Sequence, residues 1–202
     1  MVAVLSLQNG ATVYLDTNAL ADYISLVRSS EEVRDKSRSL QIRFNAVKLV
    51  KALLRKKCRL FTSAYCLIEL KSALFTSAVI EYMIESNIPL KYLDVVKDEK
   101  KEDKVYAEGL YKEFIDGYIR TGKIECIDTC IDSEKGPEEI SKLRTSKVHL
   151  QDAIVYYSCA ISSTKMDYFV SSDSKLIGSL KNYGTKIKLF TPEKFLRWAR
   201  LK

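Results

Sequence analysis

The sequence predicts an α/β fold: a three-layer α/β/α arrangement around a central five-stranded parallel sheet, with an added N-terminal hairpin strand and a helical insertion. Three observations predict it. Short segments rich in β-formers alternate with longer segments of helical periodicity. Two of the short segments end in a carboxylate, VYLD at 13–16 and YFVSSD at 168–173. The 202 residues, 47% hydrophobic and 29% charged, suffice for one domain with a real core. The chain therefore reads as a single domain over 1–202, with a helical elaboration at about 89–122.

The elements follow in order. Val2–Leu7 suits a strand, and Asn9-Gly10 is a two-residue turn signal, so a hairpin leads into the strand that ends at Asp16. A helix runs from about Ala19 to Val27. SSEEVRDKSRS is a polar joint with Ser30 as a helix cap. In FNAVKLVKALLRK the apolar positions 44, 47, 50, 53 and 54 share one stripe. CRLFTSA is the second strand, and AYCLIELKSALFTSAVIEYMI a helix that Pro89 closes. KDEKKEDK, at 97–104, is a solvated run of mixed charge. Residues 108–122 form a helix stopped by Gly122, and IECIDTCI is the third strand. Pro137 stands near the first turn of the next helix. VHLQDAIVYYSCAIS has the clearest stripe, at 150, 153, 154, 157, 160 and 161. DYFVSSD and KIKLF are the fourth and fifth strands, and Thr191-Pro192 opens a final helix.

Composition excludes several classes. No apolar run approaches the ~18 residues of a membrane helix. MVAVLSLQNG lacks a basic leader, and five cysteines at irregular spacing suit reduced thiols, so a cytoplasmic location is expected. Cys126 and Cys130 with His149, the only histidine, make a poor zinc set; small buried side chains explain the cysteines better. The net charge of +7 favours an anionic partner, nucleic acid above all. Its densest segment, Lys51, Arg55, Lys56, Lys57 and Arg59, is either a nucleic-acid contact or a solvated helix end, where cations suit the dipole.

Four acids stand out by position. Asp16 and Asp173 each lie just past a core strand, and ligands of open parallel sheets bind beyond those strand ends. Glu69 sits near the start of the helix after the second strand, and Asp152 in the first turn of the 150–163 helix. Each has a plain reading as a helix cap or dipole partner. If all four share one crevice, their repulsion either raises their pKa values or recruits a divalent cation. Oxygen ligands alone point to Mg2+ or Mn2+.

In that order VYLDTN, FTSAYCLIEL, HLQDA and DYFVSSDSKL resemble the PIN domain, a family of metal-dependent ribonucleases. The matching residues are Asp16 with Asn18, Ser63 six positions before Glu69, His149 with Asp152 and Ala153, and Ser171 with Asp173. The resemblance covers 12–80 and 124–195; in style it is closest to VapC-like toxins, from which the hairpin and the 89–122 elaboration depart. It implies that Asp16, Glu69, Asp152 and Asp173 hold one or two Mg2+ or Mn2+ ions and that the protein hydrolyses RNA. Asn18, Ser171 and Ser63 would orient the acids. The basic segment 51–59 would hold RNA, a small antitoxin would block the site, and the chain would form a homodimer.

His149 is a weak candidate for a general base, since a metal-activated water needs none. A phosphatase of the haloacid dehalogenase type needs a second Asp two residues after the first, where this chain has Asn18. A catalytically weak PIN-like module that binds RNA or a protein is the other alternative.

Overall fold

The computed structural model describes residues 7–28, 37–100, 103–128, 134–162 and 164–201. Ser30, Cys130 and most of the proposed N-terminal strand lie outside them. Five short strands form one parallel sheet: β1 (Thr12–Leu15), β2 (Arg59–Ser63), β3 (Glu125–Ile127), β4 (Tyr168–Val170) and β5 (Lys188–Phe190). Their order is β3-β2-β1-β4-β5. The chain builds outward from β1 on one side, then returns and builds outward on the other. The reversal lies between β1 and β4, where such sheets open a crevice at their C-terminal edge.

The hairpin expectation meets a physical obstacle. Gly10, at φ +80°, makes the turn the Asn-Gly pair calls for. But β1 is bonded in parallel to β2 on one side and β4 on the other, so neither edge of Thr12–Leu15 is open to an antiparallel partner.

The helices are α1 (Thr17–Leu26), α2 (Arg38–Arg55), α3 (Ala64–Glu85), α4 (Leu93–Glu99), α5 (Asp103–Phe114), α6 (Gly136–Thr145), α7 (Leu150–Ile161), α8 (Ser174–Tyr183) and α9 (Pro192–Trp198). Strand alternation sorts them into two packings. Val13, Leu15, Leu60 and Val170 bury against α1, α2, α5 and α9. Tyr14, Phe61 and Phe169 bury against α6, α7 and α8, with the rings of Tyr14 and Phe169 stacked at 5.3 Å. The four residues of β1 are too short to need a long apolar run; two-sided burial requires only that nearly every residue be apolar, which VYL satisfies.

The elaboration at 89–122 is helical, as expected. A short 3-10 turn (Leu90–Tyr92) precedes α4, and a π turn (Ile115–Ile119) follows α5, ending before Gly122 at φ +69°. It is no loose appendage, because Ala107, Leu110 and Phe114 join the same core as β1. Nor is its charged run wholly solvated: the ammonium groups of Lys100 and Lys104 sit over the rings of Tyr82 and Phe75. No helix is long and apolar enough to cross a membrane among the described residues.

Candidate functional site

Asp16 follows directly on β1. Its backbone N–H donates to the Val170 carbonyl at 2.9 Å, extending the β1–β4 ladder by one bond. It then occupies the N-cap of α1 in extended conformation, yet its side chain makes no cap bond. The carboxylate, 2% exposed, instead accepts a 2.6 Å hydrogen bond from the Ser171 hydroxyl at the end of β4. Burial pushes its pKa up to about 7, with the charges of Asp152 and Glu69 adding to the rise and the Ser171 bond opposing it.

A cavity of about 580 Å³ opens over this residue. Asp16, Glu69 and Asp152 line it together, from the end of β1, from α3 and from the first turn of α7. Glu69 is half-buried, and its Oε2 accepts from the Thr17 hydroxyl at 3.1 Å. Desolvation raises its pKa, as it raises that of Asp152; the Asp173 charge lifts Asp152 further and His149 lowers it. The three acids thus sense one another across the cavity.

Asp173 does not line that cavity. One of its carboxylate oxygens accepts from the backbone N–H groups of Lys175 and Leu176, at 2.7 and 3.1 Å, capping α8. Its role in the site runs through its backbone: the Asp173 N–H donates to the Ser171 oxygen at 3.1 Å, and the Ser171 hydroxyl in turn donates to Asp16. The Ser-x-Asp spacing closes this two-bond chain around the turn after β4.

The other sequence candidates divide. Asn18 lines the cavity but is exposed and makes no bond to an acid; the neighbouring Thr17 does the orienting. Ser63 is fully buried, accepts from the Cys66 N–H to cap α3 and from the Tyr14 hydroxyl, and touches no carboxylate. His149 stands at the N-cap position of α7 without a side-chain cap bond. Lys51, Arg55, Lys56, Lys57 and Arg59 occupy the end of α2 and the start of β2. Parallel strands make that the opposite edge of the sheet from Asp16, and Arg59 there pairs with Glu125 at 3.0 Å. They stand outside the carboxylate cavity.

Sequence reasoning missed Arg43 and Asp22, which line the far part of the same cavity. Arg43 Nε donates to Asp22 Oδ1 at 2.6 Å and Nη2 to the Ser77 hydroxyl at 2.7 Å, tying α2 to α1 and α3. Nη1 is buried with no partner among the described residues. Arg43 stands on the apolar stripe of its helix, four and seven residues before Val47 and Val50, and a charge on that buried face was the available signal.

Hard carboxylate oxygens are the right donors for Mg2+ or Mn2+. Their clustering at a buried Asp held near 7 fits a bound cation by charge. Among the described residues, however, no three of His, Cys, Asp or Glu converge tightly enough to chelate an ion directly. No family model matches the chain, and no curated protein or solved structure does either.

Proposed function

We propose that the protein is a metal-dependent endoribonuclease of PIN-like architecture, acting on RNA phosphodiesters at the Asp16 cavity. One observation carries the reading: a buried carboxylate at the sheet's reversal point faces two more across a shared cavity. Such a group is costly to ionise without a compensating cation. Asp16, Glu69 and Asp152 would hold Mg2+ or Mn2+. Magnesium usually keeps several waters and takes one or two carboxylates directly, which suits donors that do not form a closed cage. When bound, the ion supplies neutralisation of phosphate charge and a more acidic water.

The chain's own residues prepare that site. Ser171 fixes Oδ2 of Asp16, whose Oδ1 has the Cys66 thiol at 4.0 Å, and Thr17 fixes Oε2 of Glu69. Asp173 orients Ser171 through its N–H and raises the negative potential at Asp152. As partners the reading takes RNA as substrate, a small antitoxin over the cavity and a second copy in a homodimer, in the cytoplasm. Light scattering on the purified chain tests the dimer.

The test of activity is cleavage of labelled single-stranded RNA with Mg2+ or Mn2+, and with EDTA. Cleavage that persists in EDTA, or at parental rate in Asp16→Asn, overturns the proposal. Among the described residues no ready-made chelating group is found, which suits a second reading, an RNA- or protein-binding module without catalysis. RNA binding with no cleavage under any divalent ion selects it.

A further inference from the structure

The acid cavity poses a problem for any polyanionic substrate. Its one lining cation among the described residues, Arg43, is already paired with Asp22. A strand of RNA must be attracted somewhere else.

The opposite edge of the sheet has a second pocket, of about 280 Å³, between the starts of β4 and β5 and helix α9. Lys165, Lys186 and Lys188 line it, against a single acid, Asp167. That acid is turned toward the sheet: its Oδ2 accepts from the Thr12 N–H at 3.0 Å. Three cations and one anion leave the pocket a formal charge of +2. Some exposed cations elsewhere in the molecule are matched, Arg59 by Glu125, Lys142 by Glu138 and Glu139, Arg197 by Glu193. Lys165 and Lys186 have no ion pair among the described residues. Lys188 instead stands over two rings, 5.5 Å from Tyr168 and 5.6 Å from Trp198. Like charges gathered without a counter-ion repel, and an anion removes the cost.

We infer that this pocket binds the phosphates of single-stranded RNA, as an anchoring site distinct from the carboxylate cavity. Lysines without a paired acid beside a half-buried indole are a combination that holds single strands. Strands of three to five residues, rising about 3.3 Å each, set the two edges only some 10–15 Å apart. An RNA strand long enough to pass around the helices that flank the sheet would lie on the anchor and reach the acids. The choice of RNA over other polyanions rests on the function proposed above.

Trp198 is the only tryptophan of the chain, so its emission reports on this pocket alone. The experiment titrates the full chain, in EDTA, with a short fluorescein-labelled oligouridine, reading anisotropy and, with the unlabelled oligomer, tryptophan emission. The expected result is a saturable change in Trp198 emission that follows the anisotropy. Lys165→Ala with Lys186→Ala should weaken binding about tenfold and flatten its salt dependence by close to the contribution of two phosphate contacts, with the unfolding midpoint unchanged. Anisotropy that rises while Trp198 emission stays constant overturns the inference. So does parental affinity in the double variant, or no binding at all. A response to phosphatidylserine vesicles but not to oligouridine replaces RNA with a membrane surface. A silent Trp198 in a chain that still cuts RNA sinks the anchor and spares the nuclease; a responsive Trp198 in a chain that never cuts does the reverse.

Discussion

At the C-terminal edge of the sheet, Asp16, Glu69 and Asp152 crowd one cavity, and burial holds Asp16 near pKa 7. At the N-terminal edge, Lys165, Lys186 and Lys188 crowd another with only Asp167 among them. Both are like-charge clusters, and both are unfavourable alone. They differ in what surrounds them. The acids are sunk among helices and held by hydroxyls from Ser171 and Thr17, a rigid setting suited to chemistry. The lysines are exposed on long stems, a setting suited to attraction without precise placement. The contrast teaches that a net charge of +7 says little until its two signs are located.

The sharpest break of this comparison is Asp16→Asn. Cleavage should fall by more than the roughly 10–100-fold expected when Ser171→Ala removes only the orienting hydroxyl. A fluorogenic RNA assay reads both, and equal losses would place Ser171 in direct contact with the reaction.

Next is the clamp behind the acids. Arg43→Ala leaves the Asp22 charge largely buried and unpaired, its side chain being 10% exposed. It should cost about 3–5 kcal/mol in urea unfolding. Adding Asp22→Asn should recover a large part.

A smaller effect separates the edges by pH. Burial raises Asp16 above its ordinary value of 3.8 to about 7, so the folded state binds more protons than the unfolded chain between those values. Stability must then decline as pH rises from about 4 to 7. Thermal unfolding should show a decline that Asp16→Asn removes and that Mg2+ offsets most above pH 7, where the carboxylate is ionised. A decline equally steep in Asp16→Asn would assign it to other groups.

The smallest effect belongs to the basic edge. Arg59 and Glu125 are about half exposed, so Arg59→Ala should cost under about 1 kcal/mol and less in high salt.

The alternation of strands and helices was legible because burial on both faces demands apolar runs such as VYL and YFV, and helices demand 3.6-residue stripes. Asp16 was legible as well, since a carboxylate directly after a buried run is rarely idle. Glu69 was placed at that edge by the rule that helices following parallel strands begin there; Asp152 was not, since its helix follows another helix, and only the cavity joins the two. Asp173 was half legible: its position is as read, but local backbone N–H groups claim its carboxylate. Asn18 was read as an orienting residue, but the turn of α1 gives that place to Thr17, whose hydroxyl donates to Glu69. The edge that segment 51–59 reaches was not legible, because linear charge density carries no information about which end of a sheet it meets.

The order of residues alone thus dictates periodicity, strand ends and the helix starts that carry acids, because these are short-range consequences of sterics and solvation. Pairing across 155 positions, as between Asp16 and Ser171, depends on the crossover that sets β4 beside β1. The pairing of β4 with β5 brings Lys165 and Lys188 to one pocket, and that of β1 with β2 and β4 makes β1 a central strand closed to any hairpin partner. Only the packed chain decides such matters, since the free energy that selects one strand order belongs to the whole core and to no single segment of it.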